Sequence, residues 1–182
     1  MKKNLVRILA LLLIAAMLLP LCARAEENTA EEDTEQTVYE EYPVSTAEDL
    51  EKLAELCRLD SASKNLKVIL NGDIDLKDME DFQIPTFGGI FDGQNHKLYG
   101  LVVNQDGSAQ GLFRYLQKDG KIMNLEVVGK VLPTGSATKI GGVVGVNNGS
   151  IQNVTFSGTL EATDQVGGLV GYNAVTGRVI SC

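Results

Sequence analysis

Basic charge, cysteine, histidine and long apolar runs are all scarce in this chain. Lys and Arg together number 16 against 24 Asp and Glu, a formal charge of −8. Nucleic acid calls for a basic face, so no nucleic-acid partner is expected. Cysteine occurs three times and histidine once, at His96. Only Ile8 to Leu21 forms a strongly apolar run, which suits a signal-peptide core and is short for a bilayer span. No second run of spanning length follows, so the mature chain is expected to be soluble, with no membrane insertion.

Lys2, Lys3 and Arg7 precede the apolar run. Ala23-Arg24-Ala25 follows it, with small residues at the two positions a signal peptidase reads. Residues 1–25 therefore read as a signal peptide cut after Ala25. A lipidated Cys22 is the competing reading, disfavoured because Leu21 stands where a small residue is wanted. The expected location is secreted or extracellular, with association to the cell surface. Loss of Lys2, Lys3, Arg7 and Arg24 takes the charge from −8 to −12. Residues 26–182 suffice for one domain with a proper core. The stretch 26–44 is crowded with Glu and nearly free of large aliphatic residues. It cannot bury enough surface to offset the entropy of ordering, and reads as an acidic disordered linker.

One helix is legible, at 45–60. Ser45 and Glu48 fit a capping box, and Leu50, Leu53, Ala54 and Cys57 recur at helical spacing. Cys57 reads as a small core residue on that face. From 61 to 182, Gly, Asn and Asp punctuate short β-rich runs. Gly89, Gly111, Gly142 and Gly168 line up as anchors, 22, 31 and 26 residues apart. Leu98, Ile122, Ile151 and Val179 form one apolar column, and Leu101, Leu125, Val154 and Cys182 another. Such a period with loops of variable length marks a solenoid, and the lack of a helix in each unit makes it a β-helix.

A single coil cannot bury its own apolar face, but the next coil covers it and pairs its backbone. Each inward Ile, Val or Leu then contributes roughly 1.5 to 3 kcal/mol on full burial. Asn124 and Asn153 interrupt the alternation of period two, with Ser181 in the same place in the last copy. Asparagine tolerates a bend conformation and can stack into an amide ladder. Gly129 and Gly158 mark a second aligned bend. Cys57 on the helix and Cys182 several coils away are too far apart to bridge, so two free thiols are expected, both at least half-buried.

"GGVVGVNNGSIQNV" from 141 and "GGLVGYN" from 167 resemble the GLUG motif of bacterial exported and surface proteins. The segment "STAEDLEKLAEL…VILNGDIDL…FGGIFDGQNHKLYGLVV…GLFRYL" resembles the leader that precedes such repeats. The resemblance covers residues 45–182 and implies a right-handed parallel β-helix, related to the pectin-lyase type, with an N-terminal capping helix. Its repeats are taken as about 108–136, 137–163 and an incomplete 164–182. It further implies a surface or adhesion module. One copy departs from the motif: "GLFRYL" has Arg114 where the others have Gly145 and Gly171, and Leu116 where they have Asn147 and Asn173.

Catalysis would need acids and bases converging on one face. Asp92 and His96 share a short turn, and Asp73 and Asp75 flank Ile74 so that both point outward. No Lys or Arg of the repeats aligns with them. The chain is therefore expected to be no enzyme and to carry no cofactor. The alternative, resting on fold analogy, is a carbohydrate-active lyase or hydrolase or its accessory segment. Asp73, Asp75 and Asp78 are the candidate metal ligands, in a loop that lacks the glycine and closing glutamate of an EF-hand. The glycines fit no phosphate loop, since no Gly-Lys-Ser/Thr follows.

Binding remains the favoured function. Tyr115, Val146 and Tyr172 line up on one outward column, where tyrosines one coil apart would stack on sugar rings. The expected partners are a glycan or a host or surface protein. Because Cys182 falls inside a repeat, the chain is expected to be the front part of a longer protein. Otherwise its open last coil would pair end to end with another copy.

Overall fold

The computed structural model describes residues 37–182. The expected signal peptide and residues 26–36 of the expected linker lie outside the described residues. In chain order the elements begin with β1 (Glu40–Val44), α1 (Ala47–Leu56), β2 (Leu66–Leu70), β3 (Ile74–Asp75), β4 (Ile84–Phe87) and β5 (Ile90–Val103). They continue with β6 (Phe113–Leu116), β7 (Lys121–Val131), β8 (Thr138–Gly141), β9 (Val144–Asn147) and β10 (Ser150–Leu160), and end with β11 (Asp164–Gly167), β12 (Val170–Asn173) and β13 (Arg178–Ile180).

Every strand pairing is parallel, and the strands stack into a β-solenoid. The first sheet runs β1-β2-β5-β7-β10-β13, with β3 beside the second half of β5. The second runs β4-β6-β9-β12, and the third joins β8 to β11. The later rungs of the coil thus take a strand from each sheet, and the earlier ones from the first two. The core fills the space between the sheets. Phe91, Ile122 and Ile151 stack in register and are fully buried. Leu98 and Val127 do the same one step along the strands. Phe91 meets Phe113 edge to face at 5.2 Å, with Phe87 against both, an arrangement worth about 0.5–1.5 kcal/mol per pair beyond area burial.

The helix begins one residue later than its sequence signal. Thr46 is the N-cap: its hydroxyl accepts from Asp49 N–H, and Asp49 accepts in return from Thr46 and Ser45 N–H. Those bonds, the one from Ser45 first, hold the Asp49 carboxyl below its usual range. The pair Thr46/Asp49 takes the place of the expected Ser45/Glu48, and Leu50, Leu53 and Cys57 face the core, where all three are fully buried. Among the described residues, no helix is long and apolar enough to cross a membrane.

Two expectations are corrected. The disordered linker does not reach 44: Glu40–Val44 is a strand paired along its whole length with β2, and Val44 is fully buried. Backbone pairing orders a segment whose side chains alone would not. Pro43, which has no N–H, and the exposed Glu40 and Glu41 make this strand a poor template for a further one. The apolar columns also shift in the early rungs. Phe91, not Leu98, stands beside Ile122, and Leu101 pairs with Gly129. The glycine before Phe91, Gly89, belongs with Gly120 and Gly149 rather than with Gly111. The cause lies in β5, where Gly93, Gln94 and Asn95 face the single residue Asn124, and Gly100 is a second insertion.

Candidate functional site

The outer surface of the solenoid is organised into columns, and most polar side chains in them serve the bends. Asn124 and Asn153 are left-handed, at φ 53° and 52°, and Ser181 follows at 53°. Asn153 Nδ2 donates to Asn124 Oδ1 at 3.0 Å and to Asn95 Oδ1 at 3.3 Å. Asn124 Nδ2 donates to Asp92 Oδ1 at 3.0 Å, and Asp92 also accepts from Gln94 N–H. This is the ladder the sequence implies, extended one rung further by Asn95 and Asp92. Gly129 and Gly158 pair as expected, and a Cβ on either would collide with the backbone of the rung below.

A second ladder was not read from the sequence. Asn147, fully buried, donates to Asn173 Oδ1 at 2.7 Å and accepts from Gly149 N–H at 3.0 Å. It lies at the corner where the second sheet passes into the first. Gly89, Gly120 and Gly149 occupy that corner, and each carbonyl accepts from the residue one rung on: Lys121, Ser150 and Arg178 respectively, at 2.8–2.9 Å. Their spacing of 28–31 residues, continued by Gly177, was the available signal. A further left-handed column, Ala109, Lys139 and Gln165, carries no shared residue type and left no such signal.

The sequence-predicted site residues fall into three groups. Tyr115, Val146 and Tyr172 do share one column of the second sheet. The two rings are nevertheless two rungs apart, about 9–10 Å along the axis at the usual strand spacing, because Val146 lies between them. Tyr115 and Tyr172 are each 43% exposed, so both phenols reach solvent. A cation lies over each ring: the Arg114 guanidinium 5.9 Å from the Tyr115 centroid and Lys139 Nζ 5.1 Å from that of Tyr172.

The acidic residues of the 73–81 loop are occupied locally. Asp73 Oδ1 accepts from Lys97 N–H at 2.9 Å and lies 3.3 Å from His96 Nδ1. Asp75 accepts from Lys77 N–H at 3.0 Å and pairs with the Lys77 ammonium at 3.3 Å. Among the described residues, no three His, Cys, Asp or Glu side chains gather around one point, and Asp73, Asp75 and Asp78 do not converge. On the same outer face Lys97 and Glu126 pair across rungs at 2.9 Å, and the Glu126 carboxylate raises the lysine pKa.

Both described cysteines are free. Cys57 is buried beside Ser63, and loss of solvation pushes its thiol up to about 11. Cys182 is exposed, contrary to the expected burial, although the register that pairs Ile151 with Val179 and Gln152 with Ile180 carries it opposite Val154 as the sequence implies.

Residues 136–161 match the model of the GLUG motif, so the chain carries that motif. The match spans β8, β9 and β10, one complete rung, and includes Asn147, Gly149, Asn153 and Gly158 of the columns above. Over 89 residues, 48% of this chain, the sequence is 38% identical to Halomucin of Haloquadratum walsbyi (strain DSM 16790 / HBSQ001). The chain spans only 1% of the length of that relative. No solved structure matches the chain.

Proposed function

We propose that this chain is an exported, surface-exposed, noncatalytic binding module. In this reading it is a right-handed β-helix closed at its N-terminal end by α1, with a glycan or a protein as its ligand. One observation carries the proposal: the polar residues that could do chemistry are committed to building the coil. Asn124, Asn147 and Asn153 form ladders, Asp92 is bonded into one of them, and Asp73 and Asp75 accept backbone N–H groups. What remains free is an outer surface of aligned columns, which suits recognition of an extended ligand. The GLUG match and the partial likeness to Halomucin support a repeat-built surface role.

The test is an array of neutral and acidic oligosaccharides probed with residues 26–182, run beside assays for reducing-end release and for unsaturated product. Retention of a glycan without turnover is the expected result. Product formation that disappears in Asp73→Asn or Asp92→Asn would overturn the noncatalytic reading.

A further inference from the structure

The departure of one rung from the repeat pattern has a structural counterpart. Arg114 stands in register with Gly145 and Gly171, since Phe113 pairs with Val144 and Val144 with Val170. In those later rungs a Cβ would collide with the adjoining backbone. In the rung of Arg114 a full side chain is accommodated, and it is held in place. Its Nε donates to Ala109 O at 3.2 Å and its Nη2 to Ser108 O at 3.3 Å. A guanidinium has five N–H donors, so Nη1 and one further hydrogen remain available.

Arg114 lines a cleft of about 610 Å³ between α1 and the first rungs of the solenoid. One wall is the outer face of α1, with Glu51, Glu55 and, just past its end, Arg58. The other carries Glu80 and Gln105, and Ala54, Phe82 and Pro85 supply the apolar part. The volume falls within the range of small-molecule sites, about 300–1,000 Å³. Four carboxylates and three cations line it; Glu55 and Arg58 pair with each other at 2.8 Å, Lys52 pairs with Glu48, and Asp81 accepts from Asn104 N–H, which leaves Glu51, Glu80 and the remaining Arg114 donors facing a ligand. Carboxylates only accept hydrogen bonds and guanidinium groups only donate them. A ligand that meets the acceptors Glu51 and Glu80 and the spare donors of Arg114 must both donate and accept, which hydroxyl groups do. The near balance of charge gives a polyanion no advantage, and three or more metal-ligating side chains do not meet here. A peptide would need a free strand edge or deep apolar pockets, whereas Phe82 is only 7% exposed.

We infer that this cleft is a binding site for an uncharged oligosaccharide, with Arg114 as its fixed donor. The inference rests on the binding reading above and places the ligand away from Tyr172.

The chain itself suggests the substitution, because glycine is the residue that the next two rungs place at this position. Residues 26–182 are titrated calorimetrically with the neutral oligosaccharides that the array retains, beside Arg114→Gly, Glu51→Ala and Tyr172→Ala. Circular dichroism checks that each variant keeps its β-sheet signal. The expected result is an affinity loss of at least about tenfold in Arg114→Gly, and a smaller loss in Glu51→Ala, an exposed helix position that leaves the fold intact. Tyr172→Ala should bind as the parent does. Unchanged binding in both Arg114→Gly and Glu51→Ala overturns the cleft while leaving the module a glycan binder. Loss in Tyr172→Ala alone moves the site to the tyrosine column, with the same consequence. Retention of acidic glycans only also overturns the inference. Retention of no ligand overturns both this site and the function proposed for the module.

Discussion

Replacing Asn124 separates two roles that a bend asparagine combines. Its side chain donates to Asp92 Oδ1 and accepts from Asn153 Nδ2, both at 3.0 Å, and its backbone is left-handed at φ 53°. Deleting two hydrogen bonds costs about 1–3 kcal/mol in total at the usual net value of each. Alanine must also hold the left-handed conformation, which adds about 1–2 kcal/mol for a residue with a Cβ and no local bond to offset it. Asn124→Ala is therefore expected to destabilise by about 2–5 kcal/mol. Asn124→Gly loses the same bonds but adopts the bend freely, and should be about 1 kcal/mol more stable than the alanine variant after its own entropic cost. The order is the reverse of strand propensity, which disfavours glycine. Urea unfolding of residues 26–182, followed by far-ultraviolet circular dichroism, measures it. A difference of about 1 kcal/mol moves the midpoint by about 0.3–1 M at typical slopes. If alanine equals or exceeds glycine, or if both variants match the parent, the bend and its ladder do not contribute as the geometry requires.

Three further outcomes follow from the same structure. Val154→Asp buries a carboxylate in the stack beside Leu125, where the parent side chain is fully buried, and should abolish the cooperative unfolding transition; a melt like that of the parent would contradict the register. Gly158→Ala drives a Cβ into the Gly129 carbonyl and should cost more than about 1 kcal/mol, whereas Gly168→Ala meets nothing within 4 Å and should stay within about 0.5 kcal/mol of the parent by the same melt. Cys57 keeps its proton to about 11 in the folded chain against 9.0 for the ordinary thiol, so the unfolded chain ionises first as pH rises. Stability present below pH 9.0 should fall by about 2–3 kcal/mol between 9.0 and about 11 relative to Cys57→Ala, and parallel pH profiles for the two proteins would refute this.

The later rungs were legible because their loops preserve the count between columns. Ile122 and Ile151, Leu125 and Val154, and Gly129 and Gly158 pair as their sequence alignment implies. The early rungs were misaligned because β5 contains extra residues at Gly93–Asn95 and at Gly100. Apolar residues are frequent enough there that Leu98 offers a false match to Ile122. The strand at Glu40–Val44 was hidden for a different reason. Its stability comes from backbone bonds to β2, such as Asn71 N–H to Val44 O at 2.9 Å, to which side-chain composition is blind. The spacing of Tyr115 and Tyr172 was misjudged by one rung because Val146 occupies the same column without being aromatic.

The cleft at Arg114 was beyond the reach of repeat analysis, since its walls come from α1, the segment around Glu80 and a residue that breaks the repeat. This has a general physical basis in a stacked coil. A residue type that recurs in every rung is held there by the requirements of stacking: an apolar side chain fills the core, a glycine lets backbones approach, an asparagine closes a bend. Recurrence therefore marks what the coil needs in order to stand. A side chain that no stacking requirement explains is where a ligand can leave its imprint. Arg114 is such a residue: it stands where the next two rungs have glycine and the preceding one has Pro85, its guanidinium is fixed by two carbonyls of the chain, and it lines the cleft.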